Sequence, residues 1–266
     1  MIRERSASIG TRSIRYLESG AGWPVVLLHA FPLSADMWRP QLEAPPSGWR
    51  VLAPDLRGFG PAAGDAAATL DDMAGDVAAW LDALRIDRAV LGGLSMGGYV
   101  TFALFRAAPE RFSGMILANT RAAADTEEAR AGRDRMAALA REAGPSAVAD
   151  AMLPKLLGET SQRSRPELAS GVRRLIEGSP AAGIAGALQA MKTRPDSTPL
   201  LASVGCPALV VTGDEDVLAP RAEGEGMSAL LPRSQFVVIP RAGHLSNLEN
   251  PDDFSEVLGN FLRANI

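Results

Sequence analysis

A chain of 266 residues with 47% hydrophobic and 22% charged side chains has the composition of a folded globular protein, not of a disordered one. That length fits one core with an elaboration better than two independent domains. The formal net charge of −4 supplies no basic field for nucleic acid or an anionic lipid surface, so a small molecule is the expected partner.

Cys206 is the only cysteine, which rules out an intrachain disulfide and matches a reducing, cytoplasmic setting. Its place before Pro207-Ala208-Leu209-Val210-Val211 makes it a small buried side chain rather than a reactive thiol. The first residues, Met1-Ile2-Arg3-Glu4-Arg5-Ser6, are not expected to act as a secretory leader. Nowhere do about 18 apolar residues run together, so no membrane span is expected.

Residues 9–18 alternate apolar and polar side chains and predict antiparallel edge strands. Val25-Val26-Leu27-Leu28, wholly apolar and ending in His29, suits a central strand covered on both faces. A strand over 50–53 stops at Pro54. Over 70–84, Leu70, Met73, Val77, Trp80, Leu81 and Leu84 follow helical spacing, with Asp71 and Asp72 in the first turn. Ala89-Val90-Leu91 predicts the next strand, 99–108 a helix closed by Pro109, and Met115-Ile116-Leu117-Ala118 a further strand. From 121 to 199 the rhythm breaks into Ala-, Arg- and Glu-rich helical sequence without a convincing strand. It resumes with a strand over 208–211, a helix over 221–231, a strand over 236–239 and a last helix over 251–263. This alternation predicts a mostly parallel sheet flanked by helices, with 1–120 and 200–266 forming one core. Residues 121–199 are then an inserted helical cap over the sheet's active edge.

Gly93-Leu94-Ser95-Met96-Gly97 matches G-x-S-x-G between a predicted strand and a predicted helix, the context this motif requires. A sharp strand-to-helix turn would expose the Ser95 hydroxyl in strained backbone geometry, and the glycines leave room for the neighbouring chain. Neither G-x-G-x-x-G nor G-x-x-x-x-G-K-[ST] is present, which excludes the dinucleotide and P-loop patterns.

Serine needs a neighbouring base to act as a nucleophile. The chain has only two histidines. His29 ends a predicted strand, whereas His244 lies in Ala242-Gly243-His244-Leu245, a loop after the final strand, where ligands meet open α/β sheets. His244 is therefore the expected base. A carboxylate should orient it, and Thr212-Gly213-Asp214-Glu215-Asp216 offers three directly after a strand. Asn119 and Thr120 occupy the alternative position for that acid, after the preceding strand.

With these residues in view, the chain resembles the α/β-hydrolase superfamily, in its small esterase, lactonase, perhydrolase and haloperoxidase-like branch. The resemblance rests on His29-Ala30-Phe31-Pro32, Pro54-Asp55-Leu56-Arg57-Gly58-Phe59-Gly60, Gly93 to Gly98, Gly213-Asp214-Glu215-Asp216 with Pro220, and Gly243-His244-Leu245-Ser246 with Glu249 and Pro251. It implies an α/β-hydrolase fold with an eight-stranded sheet. It also implies Asp216 as the acid, three residues after a glycine and four before a proline, and the backbone N–H groups of Phe31 and Met96 as an oxyanion hole. His29 would then brace the oxyanion loop, and Asp55 and Arg57 would be structural. One departure stands out, Ala30 where most relatives carry glycine.

The activity the resemblance implies is cleavage of carboxylic esters or lactones through an acyl-serine. The loop 243–249 leans toward enol-lactonases such as 3-oxoadipate enol-lactonase. Phe31-Pro32-Leu33 and Asp36-Met37-Trp38 lean toward aryl esterases and perhydrolases. Carbon–carbon hydrolysis of ring-cleavage products shares the same residues, and a ligand receptor on this fold is the non-enzymatic alternative. No metal or organic cofactor is implied, because two histidines and one cysteine far apart do not make a metal site. Substrate choice is expected from the insertion, with Met136, Leu139, Met152, Leu156, Leu188 and Met191 as pocket walls. That segment holds twelve basic and ten acidic residues, leaving it at +2 while the remainder carries −6.

Overall fold

The computed structural model describes residues 1–60 and 69–266. A hairpin opens the chain: β1 (Arg3–Ile9) turns at Gly10, φ 58°, into β2 (Arg12–Gly20). β3 (Trp23–Leu28) leads to a short 3-10 turn at Ala35–Trp38 and α1 (Arg39–Glu43), followed by β4 (Trp49–Pro54). α2 (Leu70–Ala83) begins with a capping box: Thr69 Oγ1 accepts from the Asp72 N–H at 3.1 Å, and the Thr69 N–H donates to the Asp72 carboxylate at 2.9 Å. β5 (Ala89–Leu94), α3 (Met96–Ala107) and β6 (Phe112–Ala118) complete the first half.

Four helices then intervene: α4 (Glu127–Leu156), α5 (Glu159–Ser164), α6 (Pro166–Glu177) and α7 (Ala181–Lys192). α4 kinks at Gly144, φ 79° and ψ −179°, a conformation open to glycine, and Pro145 restarts the helix at a position where a missing N–H costs nothing. The chain returns through β7 (Ala208–Gly213), α8 (Arg221–Leu230), β8 (Ser234–Ile239), α9 (Ser246–Glu249) and α10 (Pro251–Asn265).

The eight strands lie in the order β1-β2-β4-β3-β5-β6-β7-β8, antiparallel only at β1–β2 and β2–β4. Val25, Val26, Leu27 and Leu28 are fully buried, as are Val90 and Leu91, because helices cover the central strands. α3 packs against β3 and β5, α8 against β7 and β8, and α10 against β8. After β3 the chain passes to β4 on one side and then returns to β5 on the other, so the ends of β3 and β5 form the topological switch point. Leu28 pairs with Gly93, Leu94 with Ala118, and Ala118 with Val211, which brings the loops after these strands to one edge. α4 packs on α6 and α7, and α7 reaches α2. Among the described residues no helix is long and apolar enough to cross a membrane.

The short helices at 35–43 and 246–249 were not among the expected elements. The serine turn also passes into helix at Met96, three residues before the expected start.

Candidate active site

Ser95 sits at φ 55° and ψ −110°, between β5 and α3. A non-glycine residue there carries strain of order 1–3 kcal/mol. Its neighbours hold it: the Ser95 N–H donates to the Ala118 carbonyl at 2.9 Å, and the Thr120 hydroxyl donates to the Ser95 carbonyl at 2.8 Å. The flanking glycines are steric necessities. A Cβ on Gly97 would lie 2.2 Å from the Leu28 carbonyl oxygen, and one on Gly93 2.5 Å from the same atom. β3, β5 and α3 can therefore approach closely enough to put the serine at the switch point.

Two backbone N–H groups adjoin this turn: Met96 follows Ser95 directly, and Phe31 lines the same cavity as Ser95. The Met96 N–H belongs to the first turn of α3, where no intrahelical acceptor exists, and the Phe31 N–H lies in the loop after β3. Neither has a hydrogen-bond acceptor among the described residues. His29 holds the Phe31 loop in place. Its Nε2 accepts from the Leu56 N–H at 3.0 Å, so the proton sits on Nδ1 and is donated to the Ala30 carbonyl at 2.9 Å. Complete burial lowers the His29 pKa to about 4, keeping the ring neutral. The methyl of Ala30 is accommodated without a left-handed backbone there. Asp55 accepts from the Ala35 N–H at 2.8 Å and from Arg15 at 3.1 Å, bracing the same region.

The three acids after β7 separate cleanly. Asp214 accepts from the Ala242 N–H at 3.1 Å, Glu215 from the Thr160 N–H at 2.8 Å, and Asp216 reaches His244. His244 Nδ1 lies 2.9 Å from Asp216 Oδ2 and 3.0 Å from Oδ1. An ionised carboxylate only accepts, so Nδ1 carries the proton and Nε2 keeps its lone pair. Oδ1 also accepts from the Leu218 and Ala219 N–H groups at 2.8 and 2.9 Å, and Oδ2 from the Asn119 amide at 2.8 Å. Burial pushes the Asp216 carboxyl up, but the charge and hydrogen bond of His244, the Ala219 N–H and Asn119 outweigh it and hold it below the usual range.

The His244 loop is clamped by the chain at the end of α4, Leu156 and Gly158. Glu249 accepts from the Gly158 N–H at 2.8 Å and from the Leu245 N–H at 3.2 Å, and Leu245 also donates to the Leu156 carbonyl at 3.2 Å. The backbones touch: a Cβ on Gly243 would meet the Gly158 nitrogen at 2.3 Å. Burial pushes the Glu249 carboxyl up.

Ser95, His244 and Phe31 line one cavity of about 320 Å³. Its lining also includes Met136, Met152, Leu156, Leu188 and Met191, all from residues 121–199. Leu139 is not among the residues that line it. Ala129, Gly132, Arg133 and Met136 share the lining face of α4. Tyr99, Arg121, Asp125 and Lys155, which periodicity did not single out, also line it. Asn119 and Glu249 were equally missed as partners of the Asp216–His244 pair. The only signal for Asn119 was a polar residue closing an apolar strand at the alternative acid position.

The family model described as alpha/beta hydrolase fold matches residues 24–251. A 3-oxoadipate enol-lactonase of Acinetobacter baylyi is 30% identical over 90% of this chain and 88% of its own. A thermophilic esterase from Thermogutta terrifontis, solved with malate bound, superposes with a TM-score of 0.92 at 40% identity, covering 98% of each chain. The enol-lactonase of Burkholderia xenovorans superposes at 0.89 with 30% identity, over 97% of this chain and all of that one. The chain belongs to the α/β-hydrolase fold family, a hydrolase in the branch that holds these esterases and enol-lactonases.

Proposed function

We propose that the protein hydrolyses carboxylic esters or lactones through an acyl-serine, with Ser95 as nucleophile, His244 as base and Asp216 as the group that orients and stabilises the imidazole. The observation that carries this reading is the convergence of Ser95, His244 and Phe31 on one cavity, with Asp216 bonded to His244 Nδ1 behind it. In the forward step the Ser95 oxygen attacks the scissile carbonyl and its proton passes to His244 Nε2. Asp216 stabilises the imidazolium without taking the proton. The carbonyl oxygen gains negative charge as the tetrahedral intermediate forms. The Met96 and Phe31 N–H groups would bind it, each such donor typically contributing ~2.7–4 kcal/mol. Collapse expels the alcohol, protonated by His244. Water then repeats the sequence on the acyl-serine, with His244 again taking and returning the proton.

Residues 121–199 act in this reading as a cap over the core formed by 1–120 and 200–266, supplying the apolar walls around the acyl group. The enol-lactonase and esterase relatives support the ester and lactone class. A lone cysteine fits a cytoplasmic enzyme. A turnover panel of short aryl esters, γ-lactones and acyl-homoserine lactones tests the class. Hydrolysis of at least one of the three is the expected result, and inertness toward all of them contradicts the reading.

A further inference from the structure

Glu249 is a buried carboxylate that no step of the proposed reaction uses. Burying such a group is costly unless donors surround it, and here they come from two segments. From the junction of α4 and α5, the Gly158 N–H donates to Oε2 at 2.8 Å, and the Ser161 side chain favours the ionised form. From the two residues that flank His244, the Leu245 N–H donates to Oε1 at 3.2 Å, and the Gly243 N–H favours the charge as well. Other bonds run alongside. The Leu245 N–H also reaches the Leu156 carbonyl at 3.2 Å, and Arg165, between α5 and α6, donates to the Glu249 carbonyl at 2.8 Å. The Thr160 N–H and hydroxyl both donate to Glu215, the residue before Asp216.

Gly158 sets how close the two segments can come. Its φ of −66° and ψ of 158° suit any residue, so backbone freedom does not call for glycine here. Room does: a Cβ would lie 2.8 Å from the Gly243 nitrogen and would also collide with Glu215 Oε2. Residues 156–161 therefore press on the neighbours of both His244 and Asp216, while Leu156 of the same stretch lines the cavity.

We propose that Glu249 is a positioning residue for His244, tying residues 156–161 to the His244 loop so that the base is aligned on Ser95 only while that segment is seated. This rests on the assignment of His244 as base. Because Leu156 belongs to the same segment, a wall of the cavity and the mounting of the base move together. Glutamine cannot replace the carboxylate. With one acceptor oxygen its amide serves either Gly158 or Leu245, and its NH2 then faces the other N–H.

The test counts active sites by exhaustive titration with a fluorophosphonate that labels Ser95, and reads kcat per titrated site on 4-nitrophenyl acetate. Glu249→Gln should lower that value by roughly ten- to a hundredfold with KM within about threefold of wild type, since a small displacement of a reacting group costs rate rather than binding. Gly158→Ala wedges a methyl against the loop and should lower it by about tenfold. Gly226→Ala, where a Cβ meets nothing within 4 Å, should leave it unchanged. A second readout is independent of turnover. The chain has two histidines, so the His244 Nδ1 proton can be assigned by NMR in histidine-labelled protein against His29→Gln. Its resonance should shift or broaden in Glu249→Gln and Gly158→Ala. If Glu249→Gln fails to fold, Gly158→Ala and Ser161→Ala carry the same decision. Wild-type kcat per site with an unmoved resonance, or a loss confined to the number of titratable sites, overturns the positioning role. A resonance displaced by the variants in a protein that cleaves no ester would keep that role and sink the hydrolase reading. Turnover abolished by Ser95→Ala but untouched by Glu249→Gln and Gly158→Ala would do the reverse.

Discussion

Asn119 donates its side-chain amide to Asp216 Oδ2 at 2.8 Å while its own carbonyl oxygen accepts from the Ser246 hydroxyl at 2.5 Å. The same amide also reaches the Gly243 carbonyl at 3.2 Å. One fully buried residue at the end of β6 thus ties the acid of β7 to the loop that carries His244.

Asn119→Leu should therefore damage turnover more than it damages the fold. Ser246 and Asp216 each lose a buried partner, costing about 1–3 kcal/mol, while kcat should fall by roughly tenfold or more as Asp216 loses its fixed orientation. Urea unfolding and steady-state kinetics on the same preparation check this. Asn119→Asp would place a second carboxylate against Asp216 and should be worse in kcat than the leucine variant.

The separation of the three acids gives a ranking. Asp216→Asn should lower kcat by up to about 10⁴, since an amide cannot stabilise the imidazolium and favours the wrong tautomer. Asp214→Asn should stay within roughly tenfold of wild type, because among the described residues its carboxylate bonds only to the Ala242 N–H. The reverse ranking in kcat would move the orienting role to Asp214.

His29 makes stability depend on pH. The unfolded chain binds a proton at this site below its ordinary pKa of 6.5, but the folded ring stays neutral down to about 4. The unfolded state therefore binds more protons between these values, and stability falls as pH drops through that window, by on the order of 3 kcal/mol. Asp55 and Glu249, pushed up by burial, oppose this over part of the range. The readout is accordingly the difference between wild type and His29→Gln in unfolding free energy from pH 7 to pH 4. The variant should show the shallower loss, and parallel curves would contradict the buried neutral histidine.

The walls of the cavity make a matched comparison. Met136→Ala and Leu188→Ala should change the ratio of kcat/KM between long and short acyl esters by several-fold, and Leu188→Ala should also cost about 2–4 kcal/mol of stability. Leu139→Ala should leave the ratio alone, because it is not among the residues lining the cavity. Equal effects of all three would mean the acyl chain binds elsewhere.

Much of this architecture was legible because its constraints are local. The central strands are covered on both faces and so read as unbroken apolar runs, and Gly97 is glycine because the Leu28 carbonyl leaves no room for a Cβ. The sharp turn leaves the same mark in sequence, so Ser95 was readable. Glu249 was not readable as a clamp, since its partner Gly158 lies 91 residues away and no spacing records that contact. The helix at 39–43 escaped notice for a similar reason. Gln41 is buried there by a bond from its amide to the Asn247 carbonyl, not by an amphipathic pattern. Periodicity finds apolar positions such as Leu139 and Met136 alike, but does not say which of them reaches the cavity.

The central claim is that Ser95 becomes acylated, and the most direct measurement is intact-protein and peptide mass spectrometry after rapid quench with 4-nitrophenyl acetate. The account predicts a burst of 4-nitrophenol matched by one acetyl group on the peptide containing Ser95, and no burst or adduct in Ser95→Ala. An acetyl group found on another residue, or a Ser95→Ala protein keeping more than about a tenth of the wild-type kcat/KM, would contradict it.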